Sequence, residues 1–335
     1  MTCRTMVARV LLCSFLGSSF GSLVGCASVV ADDNQEAGSV VASGDTLRKA
    51  STGYTETKYP IVLAHGMGGW TEIVGVYDYF YRIPDELRAG GAKVYLTSVS
   101  AFSSSEARGE QLLGQIEYIA AASGKGKVNL IGHSQGGLDV RYVLAARPDL
   151  LASVTTVGSP HQGADLADWL LAHLDVGGFS GVVAATLASS LGILLDMLTG
   201  TDNPQDAIAG LEQLASGGAA EFNDRYPAGL PSWYCGSGAS SWNGVALYSW
   251  TGSSVLTNFL DVTDVAMGVA SIVATEDTDG LVGRCSAHFG KVVRDDYRMN
   301  HIDEVNQVAG LVSIFESNPT TVFRAHANRL KNAGL

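Results

Sequence analysis

From about residue 59 onward, short unbroken apolar runs alternate with stretches whose apolar side chains recur at helical spacing. The runs are Ile61-Val62-Leu63-Ala64, Val94-Tyr95-Leu96-Thr97, Val128-Asn129-Leu130-Ile131, Val154 to Val157 and Leu247 to Trp250. Runs this short, without polar alternation, predict strands covered on both faces. Between them, Glu106 to Ala122 sets Leu112, Leu113, Ile116 and Ile119 at helical spacing, and Leu138 to Ala146 reads as a second helix. Tyr77 to Arg88 predicts a helix interrupted early by Pro84, and Glu304 to Leu311 a late helix-like stretch. Strand and helix in alternation predict the α/β class: a mostly parallel central sheet flanked by helices.

Two segments stand outside that rhythm. Arg4 and Arg9 precede an uncharged apolar stretch from Val10 to Val24, too short for a comfortable membrane span and suited to a secretory signal. Val29-Val30-Ala31 before Asp32 has the small-residue pattern of signal cleavage, which makes residues 1–31 a leader and the product a secreted protein. Leu23-Val24-Gly25-Cys26 offers the alternative of a lipoprotein anchored through Cys26. Residues 32–55 lack periodicity and read as a flexible lead-in to one folded domain over 56–335. The second outlier, Val176 to Leu195, has no charge but carries several Gly and Ser residues. It is a weak membrane candidate and predicts instead apolar surface inside a lid or cap around residues 165–225.

Charge and cysteines narrow the picture further. A formal net charge of −12 with no cluster of Lys and Arg excludes nucleic acid as a partner. Of the five cysteines, Cys3, Cys13 and Cys26 fall in the leader, leaving Cys235 and Cys285. Two cysteines in an exported chain suggest one disulfide, worth roughly 4 kcal/mol for a loop of about 50 residues.

The chemistry centres on Gly132-His133-Ser134-Gln135-Gly136, between a buried run and a helix. This is the nucleophile elbow of the α/β-hydrolase fold, a strained strand-to-helix turn that needs small residues two before and two after the serine. A serine needs a base, and the base an orienting acid, in the chain order serine, acid, histidine. The later histidines are His161, His173, His288, His301 and His326. His301 sits in a polar stretch suited to a reaching loop, His288 is close to Cys285, and His326 falls on what reads as a surface helix face. Asp279-Gly280 is a turn that can present a carboxylate at a strand end, with Glu276 and Asp277 as neighbours. Oxyanion donors are expected from the amides of Gln135 and of Met67, the latter in the loop Ala64-His65-Gly66-Met67-Gly68-Gly69.

YPIVLAHGM (59–67), GHSQGGLDVRYV (132–143) and VGSPHQGADLAD (157–168) resemble the true lipases of Pseudomonas and Burkholderia, bacterial lipase family I. DGLVGRCSAHFGKVVRDDYRMNHIDEVNQVAGL (279–311) and RAHANRLKNAGL (324–335) are closer still to the Pseudomonas aeruginosa type. The similarity covers nearly everything after about Ser51 and weakens from about Val176 to Thr201. It implies a triad of Ser134, Asp279 and His301, oxyanion donors at Met67 and Gln135, a Cys235–Cys285 bridge and a mobile helical lid. It also implies one structural Ca²⁺ held by Asp261, Asp303 and the carbonyls of Gln307 and Leu311. Taken without the resemblance, Asp261 and Asp303 read as solvated surface carboxylates, and Asp264 competes with Asp261. The implied activity is hydrolysis of long-chain acylglycerol esters at an oil–water interface by a monomer that a dedicated foldase helps to fold during secretion. The alternatives are a short-chain carboxylesterase, an acyltransferase and, from another class, a noncatalytic hydrolase-like protein.

Overall fold

The computed structural model describes residues 53–69, 72–73, 77–174 and 206–335. The expected leader, Cys26, most of the lead-in and the charge-free run from Val176 to Leu195 lie outside the described residues. A seven-stranded sheet frames the rest. Strand β1 is Ile61–Ala64, and a small hairpin follows, β2 Glu72–Ile73 with β3 Tyr77–Asp78. The later strands are β4 Val94–Leu96, β5 Val128–His133, β6 Leu151–Val157, β7 Ser241–Trp242, β8 Val245–Gly252 and β9 Lys291–Tyr297. Their order is β4-β1-β5-β6-β8, with β7 and β9 both pairing β8. Within the seven-stranded sheet every pairing is parallel except that of β7 with β8.

Eight helices of seven residues or more are described: α1 Ile83–Ala89, α2 Ser105–Ala122, α3 Gly136–Ala146, α4 Asp165–Leu174, α5 Ala207–Leu214, α6 Ser216–Arg225, α7 Val262–Ala270 and α8 Pro319–Asn332. Alternating side chains of the strands divide between two cores, as the period of two requires. Ile61, Leu63, Ile131, Val157 and Trp250 pack with Ile83 and Leu87 of α1 and Val322, Phe323 and Ala327 of α8. Val62, Ala64, Leu130, Val154 and Leu247 pack on the other face with Leu112 and Ile116 of α2 and Val140 and Val143 of α3. Helices α4 and α5 contribute a separate small cluster built on Ala164, Ala167 and Ala215.

The sheet follows the apolar runs, and several local expectations change. Pro84 does not interrupt a helix but begins one: it lies in the first turn of α1, where its missing N–H costs nothing and its fixed φ is preorganised. Tyr77 and Asp78 belong to the hairpin instead. Glu304 to Leu311 is not a regular helix. One short 3-10 turn at Asp303–Val305 is followed by left-handed backbone at Asn306, Val308, Ala309 and Gly310. His326 is buried rather than on a surface face, bonded through Nε2 to Thr155 Oγ1 at 2.9 Å. The end of the expected lead-in is already anchored, since the Thr55 hydroxyl donates to Leu87 O at 2.6 Å. Cys235 and Cys285 are joined by a disulfide.

Candidate active site

The register of the parallel strands aligns their C-terminal ends: Ala64 lies beside Gly132, His133 beside Val157, and Val157 beside Trp250. In open α/β sheets this edge is where ligands bind. Ser134 follows β5 directly and has φ 56°, the left-handed conformation that L-residues avoid unless their surroundings force it. Its amide donates to Val157 O at 2.8 Å, and its carbonyl accepts from Gly137 at 2.9 Å, so strand and helix both hold the turn. The flanking glycines are steric necessities. A Cβ on Gly132 would lie 2.2 Å from Gly136 O, and one on Gly136 would lie 2.6 Å from His65 O.

His301 is brought to Asp279. The imidazole Nδ1 and Asp279 Oδ2 are 2.7 Å apart, and both side chains are buried. The second Asp279 oxygen accepts the amides of Leu281 and Val282 at 2.9 and 2.8 Å, which fixes the carboxylate's rotamer. Glu276 instead accepts the amides of Cys285 and Ser286, and Asp277 is exposed. The other histidines are engaged elsewhere. His161 meets Arg141 and Thr156, His173 stacks on Trp169, and His288 bridges Gly236 O and Asp295. Among the described residues the Ser134 hydroxyl makes no hydrogen bond to His301. The residue before the serine meets His301 instead: the His133 and His301 rings are 4.6 Å apart, and His133 Nε2 lies 3.1 Å from His301 O.

The loop after β1 closes over the serine. A Cβ on Gly66 would meet Ser134 Cβ at 2.6 Å and the Tyr79 hydroxyl at 2.9 Å. Arg108 of α2 organises this loop from beneath. Its guanidinium donates to His65 O at 2.8 Å and to Ser100 O at 2.5 Å, and pairs with Asp139 of α3 at 2.8 Å, all buried. His65 is held neutral: burial first, then the nearby Arg108 charge, lower its pKa to about 3. Val99 N–H donates to Nε2, so Nδ1 carries the proton and donates to Gly66 O. Amides along both turns have acceptors, Gly68 on Ala101 O, Gly69 on Gly66 O and Leu138 on Gln135 O. Among the described residues the amides of Met67 and Gln135 donate to no protein acceptor, which is what donors reserved for a substrate oxygen require.

Sequence reasoning missed a buried polar network behind the histidine. The Tyr79 hydroxyl accepts the Gly66 amide at 3.2 Å and meets His133 Nδ1 at 2.6 Å. His133 Nε2 lies 3.4 Å from Glu304 Oε2, and Glu304 Oε1 accepts from Gly252 N–H and Thr251 Oγ1. Burial, then the charge of Asp279, push the Glu304 carboxyl well above the ordinary carboxylate range. Burial, then His301, keep the His133 imidazole uncharged. Glu304 was visible in the sequence only as part of a helix-like stretch, and Tyr79 carried no signal because its partners are distant in the chain.

Asp261, Asp264 and Asp303 are all buried, against the expectation of solvated carboxylates. Asp264 is saturated by protein donors: its oxygens accept from Thr257, Asn258 and Asn300. Asp261 Oδ2 and Asp303 Oδ1, by contrast, are buried oxygens without a hydrogen-bond partner. Burial pushes the Asp303 carboxyl up to about 7, with Asp261 and Asp264 adding to the rise. Orphaned carboxylate oxygens of this kind suit a hard cation. His133, His301 and Glu304 also bring ligand-type atoms within 4.8 Å of one another. Their imidazole Nδ1 atoms already bond Tyr79 and Asp279, so that group is a hydrogen-bonded network.

A family model for the alpha/beta hydrolase fold matches residues 59–305. The chain belongs to that family. Within it, this hydrolase is 52% identical over 284 residues to a triacylglycerol lipase of Vibrio cholerae, covering 84% of this chain and 91% of the relative. It is 43% identical over 289 residues to a triacylglycerol lipase of Pseudomonas fragi, covering 83% and 98%. Among solved structures, a Bacillus licheniformis lipase in its mature form superposes with a TM-score of 0.57 at 18% identity, over 82% of this chain and 93% of that one. The hydrolase is thus similar to bacterial lipases in sequence as well as in fold.

Proposed function

We propose that this hydrolase cleaves the carboxylic esters of long-chain acylglycerols through an acyl-enzyme on Ser134. The observation that carries the reading is the buried His301–Asp279 pair beside a strained serine turn, next to two amides without protein acceptors. In this reading Asp279 accepts the Nδ1 proton and so leaves Nε2 free to take the hydroxyl proton of Ser134. The serine oxygen attacks the ester carbonyl, and the developing oxyanion is met by the amides of Met67 and Gln135. Collapse expels the glyceride alcohol, which takes the proton back from His301. Water, activated by the same imidazole, then releases the fatty acid.

We further infer that one Ca²⁺ belongs at the carboxylates of Asp261 and Asp303, with the carbonyls of Gln307 and Leu311 completing the oxygen set. The two orphaned carboxylate oxygens support this site. When bound, the ion neutralises the two buried charges and ties the loop after His301 to the N-terminus of α7. Its role is structural, since Asp303 is two residues from the base. Secretion is proposed from the basic and apolar leader, and assistance by a foldase from the family resemblance alone.

Rates on emulsified triolein and on dissolved tributyrin test the activity. Release of oleate from the emulsion, abolished in Ser134→Ala protein, is expected. Turnover of tributyrin alone would make this a short-chain esterase.

A further inference from the structure

One stretch of surface inverts the usual distribution of side chains. Between Ser253 and Thr275 the only charged residues are Asp261 and Asp264, and both are buried. The residues turned outward are instead Leu256, Phe259, Leu260, Val262, Val265 and Ile272. Helix α7 thus hides an aspartate and shows valines to solvent. A second loop stands beside it, joined by Asn258 Nδ2 donating to Val312 O at 3.2 Å, and it exposes Ile314 and Phe315. Its own acid, Glu316, turns inward to Arg294 at 2.8 Å. In a chain of net charge −12, this face presents apolar side chains and none of its own charges.

We propose that this face, Leu256–Val265 with Ile314 and Phe315, is the surface by which the enzyme seats itself on an uncharged lipid phase. The proposal rests on the acylglycerol reading above and extends it from the reacting atoms to the substrate aggregate. Three observations choose this occupant. The side chains stand clear as knobs, Phe259 being 95% exposed, and knobs suit a deformable liquid better than a preshaped protein socket. Protein partners take register and orientation from charged and polar rims, and these loops offer no outward charge. The face is also continuous with the active site through its underside. Met267 of α7 packs on Gly280, beside Asp279, and Asp264 accepts from Asn300, beside His301, at 2.8 Å. A lipid droplet met by this face therefore touches the element that braces the acid and the base.

The test is the double variant Phe259→Ser/Phe315→Ser, whose side chains are exposed and belong to neither the proposed triad nor the oxyanion donors. Partition to triolein droplets is measured by co-flotation, and hydrolysis of tributyrin kept below its solubility limit is measured alongside. Partition is expected to fall by about tenfold or more, since each buried aromatic contributes on the order of a tenfold factor. Hydrolysis of dissolved tributyrin should stay within about twofold. Wild-type partition should also respond little to salt, as an uncharged contact requires. Unchanged partition in the double variant would overturn the proposal. So would a wild-type dimer that the variant converts to monomer, which would make a second copy the occupant. Co-flotation needs no turnover, so an inactive wild type that still partitions would sink the catalytic reading and leave this one standing.

Discussion

His301 is tied to Asp279 at two points: Nδ1 lies 2.7 Å from Oδ2, and the His301 amide donates to the Asp279 carbonyl at 2.9 Å. Ring and backbone therefore move together, and the imidazole can hold its proton only on Nδ1. Asp279→Asn keeps the shape and reverses the hydrogen bond, stabilising the wrong tautomer. The expected outcome is a kcat lower by about 10³–10⁴ with little change in KM. Steady-state kinetics on a dissolved ester checks it; a loss below about tenfold would mean that another group orients the ring.

The glycines separate steric need from simple flexibility. A Cβ at Gly132 meets the Gly136 carbonyl at 2.2 Å, where both partners are backbone and neither can yield. Gly132→Ala should cost about 3 kcal/mol by denaturant unfolding. Gly114, exposed in the interior of α2 with nothing within 4 Å of a built Cβ, is its control. Gly114→Ala should stabilise by about 0.8 kcal/mol, because the helix gains propensity and loses no contact. Equal effects at the two sites would contradict the elbow geometry.

Much of this frame was legible in the amino-acid pattern because β1, β5, β6 and β8 are largely buried and carry no Asp, Glu, Lys or Arg. Strand β9 was not legible. Lys291 to Tyr297 reads as polar, because an edge strand pairs through its backbone and leaves its side chains half in water. The left-handed run at Asn306, Val308 and Ala309 was missed because nothing local demands it. Apolar spacing there imitates a helix, while the break is held by a partner remote in the chain, Asn306 Nδ2 donating to Tyr81 O at 2.9 Å. His301 and Asp279 could be singled out by loop chemistry, but not the Tyr79–His133–Glu304 network, which joins residues remote in the chain through burial alone.

The orphaned oxygens of Asp261 and Asp303 predict a dependence on Ca²⁺. Saturating the site at about a hundred times Kd should stabilise the fold by about 2.7 kcal/mol. A thermal scan in strong chelator should then fall by several degrees, at about 2 °C per kcal/mol for a domain of this size. Asp303→Asn should abolish the response. Asp264→Asn should lower the transition in both conditions but keep the increment, because Asp264 is already saturated by protein donors.

Buried neutral histidines predict acid lability. Burial, then the charge of Arg329, lower the His326 pKa to about 3, from an ordinary 6.5. The folded state therefore binds fewer protons than the unfolded chain between those values. Its contribution to stability is complete above about pH 6.5 and declines by up to about 1.4 kcal/mol per pH unit as pH falls toward 3. His65 behaves likewise. In His326→Gln the slope of unfolding free energy against pH, measured from 6 to 4.5, should shrink by about one proton. An unchanged slope would mean that His326 is charged in the folded protein.

Covalent labelling addresses the central assignment most directly. A fluorophosphonate ester should add to a single residue of the folded protein, and peptide mass spectrometry should find the adduct on Ser134. Labelling should be lost in Ser134→Ala and slowed by about a thousandfold or more in His301→Ala, with the melting transitions of both variants preserved. An adduct on any other serine, or undiminished labelling without His301, would contradict the assignment of Ser134 as a nucleophile activated by that imidazole.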